Sequence, residues 1–429
     1  MKRLWGILIG LTTLSGLRAQ EVLTLESCYE RAAEVSALAA EKPAYGEIWQ
    51  RTDKNLQKQW MPTLDAGGTL LYNSSVVDME DVIGRLPLPG IGDMLDPLPH
   101  EQYKITVEVS QTLYDGGAVK SARALGEAEL RLNEKQTGTE LYKLRSQVNS
   151  AYFSLMLLRR HKELLHNYDT LIGRRIAAVQ SAVDNGVLLK TDLDALQAEE
   201  IKLEQQLSEN EIRSASLTGI LSDLTGLTIT PSTELAFPLL AEETPPGICR
   251  PELEIFDLKK EQLSASLKML DSRRRPKAFG FSTLGYGNPP GNNFFRDEFA
   301  PFFIVGASVK WNIFDWDKSK REKEIIGFQQ EILDYRKKDL TDGLERLLES
   351  KRAEIATLRK LTESDKELIA LRKKISASAE SRHLNGTLTA TAYLQELNAE
   401  KEAVITHEIH RINLALAQVE YLTISGKAL

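Results

Sequence analysis

Tyr114-Asp115-Gly116-Gly117 and Phe314-Asp315-Trp316-Asp317 stand 200 positions apart, and so do the dipeptides Asn185-Gly186 and Asn385-Gly386. A constant offset between separate landmarks means one unit written twice, so whatever fold the first copy takes the second must take too. Proline outlines that unit, because inside a helix it removes a hydrogen bond and clashes with the preceding turn at a cost of about 3 kcal/mol. All fifteen prolines lie between Pro43 and Pro99 or between Pro231 and Pro301. Each proline-bearing stretch is therefore followed by a long window in which a helix can run without interruption.

Apolar spacing fills those windows. Leu141, Leu144, Val148, Ala151, Leu155 and Leu158 alternate steps of three and four, and Tyr168, Ile172, Ile176, Val179 and Val183 continue the stripe. The pattern predicts one helix from Ala118 to Asp184, about 100 Å long at about 1.5 Å per residue. A return helix runs through Leu193, Leu196, Ile201, Leu203, Leu207 and Leu217 to about Leu224. The second window repeats this through Ile325, Leu340, Leu344, Leu347, Ile355, Leu358, Leu368, Leu371 and Ile375, and returns through Leu394, Leu397, Val404, Ile405, Ile409, Ile412, Leu416 and Val419. Asn-Gly at each reversal supplies residues that tolerate the positive φ of a tight turn. Each outgoing helix is longer than its return, so shorter helices over Pro43–Trp60 and Pro251–Arg275 are expected to stack on the returns and complete four helical columns.

Strands belong where the prolines cluster. Ile105, Val107 and Val109 alternate with Thr106, Glu108 and Ser110, and Val305, Ala307, Val309, Trp311 and Ile313 alternate with Gly306, Ser308, Lys310 and Asn312. Thr63–Asn73 and Lys277–Gly287 are their expected partners, and the first hairpin is longer by 14 residues around Pro87, Pro89, Gly90 and Gly92. Strands of about 10 residues have the length of a tilted transmembrane β-strand. Four of them cannot close, and open edges are forbidden in lipid. Three copies would supply twelve strands, with Tyr72, Tyr103, Tyr114, Phe302, Phe303 and Phe314 near the strand ends as an aromatic girdle. The fold expected is thus a mixed α and β membrane protein with an internal two-fold repeat: a trimeric β-barrel, four strands per chain, continuing into a long α-helical barrel. Its segments are a secretory signal over residues 1–19, a first repeat over 20–230, a linker over 231–250 and a second repeat over 251–429.

The signal is read from Lys2-Arg3, the apolar run Leu4–Leu17 and the small residue Ala19. Net charge is −7, with 61 acidic against 54 basic residues, which disfavours a nucleic-acid partner. Cys28 and Cys249 are too few for a disulfide scaffold, and pairing with each other stands beside two free thiols as an alternative. His407-Glu408-Ile409-His410 places its histidines three apart, whereas the zinc-protease motif needs four, and no further ligand is evident. With no nucleophile elbow or phosphate loop either, an enzyme is not expected, nor a cofactor.

Ser110-Gln111-Thr112-Leu113-Tyr114-Asp115-Gly116-Gly117 entering a helix, the start Leu23-Thr24-Leu25-Glu26, and Asn185-Gly186 followed by Thr191-Asp192 and Gln197-Ala198-Glu199 resemble the TolC-type outer-membrane factor family. The resemblance covers nearly the whole chain after the signal. It implies a homotrimer in outer-membrane lipid with a helical tunnel across the periplasm, docked to a periplasmic adaptor and an inner-membrane pump of RND, ABC or MFS type. It also implies a periplasmic gate at Asp192 and Asp194. In the second copy Ala392 takes the place of the matching acid and the next candidates are Gln395 and Glu396, so the acidic ring is altered. His383 and Leu388 stand where the family often has a gate tyrosine and arginine. A His383–Asp192 pair would make the tip pH-sensitive; the alternative is a solvated histidine with no partner. Asn185, Gly186, Asn385 and Gly386 form the adaptor-docking tips in this reading, and Asp115, Gly116, Gly117 and Asp315 the strand-to-helix junctions. The function implied is a gated exit duct for efflux or type I secretion, against the alternative of a non-conducting periplasmic coiled-coil scaffold.

Overall fold

The computed structural model describes residues 22–76, 99–238, 247–293 and 296–427. The longer first hairpin, the leader and much of the linker expected above fall wholly or partly outside them. The chain divides into two compact units, and each draws on both halves of the sequence.

The unit formed by Glu41–Gln136 and Glu252–Asp339 holds all four strands. Helix α2 (Glu41–Gln57) runs through a short 3-10 turn, Lys58–Trp60, into β1 (Thr63–Tyr72). Strand β2 (Glu101–Tyr114) leads to helix α3 (Ala118–Asp184), whose start belongs to this unit. Helix α5 (Pro251–Arg273), strands β3 (Lys277–Asn288) and β4 (Ala300–Lys310), and the start of helix α6 (Lys318–Leu384) complete it. The sheet is antiparallel in the order β1-β2-β3-β4, so β2 and β3 join two hairpins and β1 and β4 are left as its outer strands.

Register sorts the side chains cleanly. Ala66 faces Val107, which faces Leu284, which faces Phe303, all on one face. Leu64, Leu70, Ile105, Val305 and Val309 extend that face and are exposed. The other face carries Thr63, Asp65, Thr69, Lys104, Thr106, Glu108 and Ser110. On it Phe281 covers Gly306 and Phe302 covers Gly285, so bulk on one strand fills the gap left by glycine on the next. A two-faced sheet with its apolar side bare does not suit an aqueous surroundings.

The second long strand is shorter than the alternation through Ile313 predicts. Its last ladder partner is Lys277, and the residue before that is Pro276, which has no N–H to give. Trp311 instead donates its indole N–H to the Arg274 carbonyl at 2.9 Å.

The other unit is formed by the described residues up to Ala40, Thr137–Pro251 and those from Leu340 onward. Helix α1 (Leu25–Val35) is capped by Thr24, whose hydroxyl accepts from the Ser27 N–H. It packs with the remainder of α3, with α4 (Lys190–Thr225) and with α7 (Ala390–Ser425) around Leu25, Cys28, Tyr152, Leu155, Leu221 and Ile412. Helices α3 and α6 are both 67 residues long, and α4 and α7 both 36. Helix α3 has the bounds that periodicity predicts. A parallel bridge between Leu23 and Leu235 has no counterpart in the sequence reading. The Tyr152 hydroxyl sits against the Leu23 and Ala236 carbonyls, at 2.8 and 2.6 Å, and holds it shut.

Cys28 and Cys249 are both free thiols, Cys28 buried and Cys249 exposed. Burial pushes the Cys28 thiol up to about 12. Since only the thiolate attacks electrophiles, the folded protein treated with a maleimide at mildly alkaline pH takes up one label, at Cys249. Mass mapping of the adduct checks this, and Cys28 reacts only after denaturation.

Candidate gate and strand–helix junctions

Each long helix pair reverses through the same local chemistry. At the first tip Asn185 bonds its side-chain amide to the Ser181 carbonyl at 2.7 Å, and Gly186 takes φ +72°. At the second tip Asn385 makes the same bond at 2.8 Å and Gly386 takes φ +71°. A Cβ on either glycine would meet nothing within 4 Å, so these positions need glycine for its backbone alone. Gly186→Ala and Gly386→Ala are each expected to cost about 1–2 kcal/mol, the strain of a left-handed alanine, and asparagine at either site less. Chemical denaturation of the single variants tests that order. Gly116 is different. There a Cβ would lie 2.8 Å from the Arg275 Cβ and 3.2 Å from the Pro276 carbonyl oxygen, so steric overlap adds to the backbone strain.

Asp192 is the point where the two tips meet. One carboxylate oxygen accepts the Leu189 N–H at 3.3 Å, which caps α4, and the other accepts the Ala390 N–H at 3.1 Å. Ala390 opens α7, so its N–H is one of the donors a helix start leaves without an internal partner. A single side chain therefore caps two helices that come from different halves of the chain, and its charge suits both N-termini.

His383 does not pair with Asp192, nor is it solvated. It is 3% exposed, its ring lies parallel to that of Tyr393 at 5.5 Å, and Nδ1 is 3.0 Å from the Leu388 carbonyl oxygen. A carbonyl only accepts, so Nδ1 carries a proton and donates it, and among the described residues the buried Nε2 faces no partner. Two causes exclude the expected pair. The Gly386 turn folds Leu388 back over the last turn of α6, and the Asp192 carboxylate is occupied by two backbone donors.

Of the other expected gate residues, Glu396 reaches Arg372 at 3.4 Å, while Asp194 and Gln395 are exposed. The ties between helices come from residues to which the sequence gives no gate role. Arg175 of α3 pairs with Glu380 of α6, and Lys401 of α7 with Glu199 of α4 at 3.0 Å. Leu193, Leu196, Tyr393, Leu394 and Leu397 form the apolar core beside them, with Leu388 packed against it. Burial holds the Tyr393 phenol above its ordinary range. Farther along, His407 and His410 both turn to Asp365, at 3.7 and 2.7 Å. Among the described residues no cluster could hold a metal ion, and no helix is long and apolar enough to cross a membrane.

At the first strand-to-helix junction Asp115 is buried and accepts the Gly117 and Val119 N–H groups at 2.7 and 2.6 Å. Gly116 and Gly117 take φ +70° and +85°. At the second, Asp315 accepts from the backbone and hydroxyl of Ser319, and the hydroxyl bond holds its carboxyl below the usual range. Trp316 and Asp317 occupy the glycine places and keep the left-handed conformation, at φ +54° and +57°.

Residues 54–219 match the family model described as outer membrane efflux protein. The fold matches the Campylobacter jejuni CmeC outer membrane channel at 13% identity and TM-score 0.64, over 94% of this chain and 85% of that one. It matches the open-state Neisseria gonorrhoeae MtrE outer membrane channel at 14% and 0.66, over 94% and 89%, and the Vibrio cholerae outer membrane protein VceC at 13% and 0.64, over 93% and 96%. Over residues 54–219 the chain is similar to outer membrane efflux proteins, and its fold is that of TolC-type outer membrane channels. No curated protein matches its sequence. The tip departs from the motif the resemblance implied, since an Asp192 cap and a buried histidine stand where an ion-pair link was expected.

Proposed function

We propose that this protein is the exit duct of a tripartite efflux or type I secretion system, a passive channel gated at the helical tips. Three chains complete a twelve-stranded barrel, and a periplasmic adaptor and inner-membrane pump engage the tips. The observation that carries the reading is the sheet: its apolar face is exposed, and β1 and β4 each have one unpaired edge. Unpaired backbone groups cost several kcal/mol each in hydrocarbon, so a membrane-inserted sheet of this kind closes only with further copies. The Asp192 cap supports a gate, because it ties the two helical hairpins of one chain at their reversals. Asp194, Gln395 and Glu396 line the approach to that gate, and Asn185, Gly186, Asn385 and Gly386 form the rim that meets the adaptor.

Planar-bilayer recording of the detergent-extracted protein, sized in the same preparation, tests this. A trimer with small, gated conductance is the expected result. A protein extracted without detergent that never conducts overturns it.

A further inference from the structure

One pair of facing side chains on the polar side of the sheet is satisfied in the first copy and left unsatisfied in the second. Thr63 follows Pro62 and faces Ser110 across the first hairpin, and their hydroxyls share a hydrogen bond of 2.8 Å. Lys277 follows Pro276 and faces Lys310, which stands 200 positions after Ser110. Where one copy closes a hydroxyl pair on itself, the other sets two ammonium groups directly opposite each other, an arrangement that costs stability. Neither lysine has a side-chain partner among the described residues. Of the carboxylates at this end, Asp315 accepts from Ser319 and Asp271 pairs with Lys323. Two charges that repel within the chain and find no counter-ion in it point to an anion from outside.

We infer that Lys277 and Lys310 line the lumen of the duct as an anion-attracting ring and favour anionic cargo bearing carboxylate, phosphate or sulfate groups. This rests on reading the sheet as part of a membrane-spanning barrel. The face decides the occupant. Phe279 with Ser308, Phe281 with Gly306, and Thr283 with Ile304 form successive pairs on the same side as the two lysines, and Ser110 joins that side to Thr63 by facing Phe281. Val305 and Val309 lie on the other, apolar side and are exposed. With that side in lipid, the lysines meet water and whatever passes through it. Three copies set lysine pairs and hydroxyl pairs alternately round the wall, and a ring of one sign between low-dielectric walls concentrates ions of the other. Opposite charge on this face lies too far away to cancel it. Asp65 faces Glu108, and Glu108 faces Thr283, which is 283 − 277 = 6 residues from Lys277. At about 3.3 Å per residue that is about 20 Å, more than twice the screening length of about 8 Å at physiological ionic strength. The end of the sheet joined to α5 and α6 therefore carries a positive potential of its own.

Reaction rates at a reporter cysteine test this. In a Cys249→Ser chain, where Cys28 stays buried, Ser308→Cys places a thiol on the same side as Lys310, next but one along β4. In proteoliposomes of zwitterionic lipid an anionic methanethiosulfonate is expected to react there faster than a cationic one. Lys277→Gln with Lys310→Gln should lower the ratio of the two rates about tenfold at low salt, and little at about 1 M salt. Lys277→Thr with Lys310→Ser, which copies the first hairpin's pair, gives the same readout where the glutamine chain folds poorly. A ratio that the lysines do not alter overturns the ring in favour of a counter-ion from a neighbouring copy. A lysine effect that disappears when anionic lipid is added overturns it in favour of headgroups. Val309→Cys separates this inference from the duct reading. Ser308→Cys unreactive with both reagents, while Val309→Cys reacts, removes the barrel and the ring together. Ser308→Cys reactive, Val309→Cys protected and the ratio unmoved by the lysine replacements removes the ring only.

Discussion

Asp192→Ala is expected to hold the proposed channel open. The substitution leaves the Leu189 and Ala390 N–H groups uncapped and removes the one side chain that bonds both hairpins at their reversals. Each cap contributes about 1 kcal/mol, so the closed tip loses about 2 kcal/mol per chain. Over three chains acting together that is about 6 kcal/mol, against roughly 1.4 kcal/mol for a tenfold change in an equilibrium. The open probability in a bilayer should therefore rise by at least a hundredfold, even if much of the loss is recovered by water at the freed donors. Asp192→Asn keeps one acceptor oxygen and loses the charge, so it should fall between the two. Helix content and trimer size serve as controls that the change is at the tip. Open probability unchanged in Asp192→Ala, with the fold intact, would remove Asp192 from the gate.

The same carboxylate shows where sequence reasoning reaches and where it stops. Proline exclusion and an apolar stripe sustained over 67 residues leave one solution for α3, and the bounds follow. Strand β4 is misjudged by three residues because alternation in one strand says nothing of where its partner ends, and here Pro276 ends it. The role of Asp192 is legible only in outline. Its position after the turn marks it, but that one oxygen reaches Ala390, 198 positions away, depends on how two hairpins lie together. His383 fails for the same reason. A histidine near a helical tip reads as solvated or paired, and only the turned-back Leu388 carbonyl and the face of Tyr393 account for its burial. The pairs Arg175–Glu380 and Lys401–Glu199 join residues more than 200 positions apart, and in the sequence their charges look like any wetted helix face.

Lys401→Met is the substitution expected to destabilise the helical unit most. The side chains of Lys401 and Glu199 are only 10% and 11% exposed, so the lysine neutralises a carboxylate that is largely out of water. Removing one partner of a buried pair costs about 3–5 kcal/mol, because the remaining charge stays desolvated. Lys202, at 3.9 Å from the other Glu199 oxygen, returns part of this but is 58% exposed. Replacing both partners, as Lys401→Met with Glu199→Leu, should recover most of the loss, since an apolar pair of similar volume leaves no orphaned charge. His161 adds a pH signature. Burial, and then the nearby Lys401 charge, hold its imidazole below the ordinary 6.5. The unfolded chain therefore binds a proton that the folded one resists, and this contribution, whole above about pH 6.5, is lost as pH falls from there through the lower folded value. In Lys401→Met one of the two causes is gone, so its stability should decline less steeply between about pH 8 and pH 5 than that of the unaltered protein. Thermal loss of helix in detergent, recorded across that range, measures both effects. Equal midpoints for Lys401→Met and the unaltered chain at pH 8 would mean that the pair contributes nothing to holding α4 against α7.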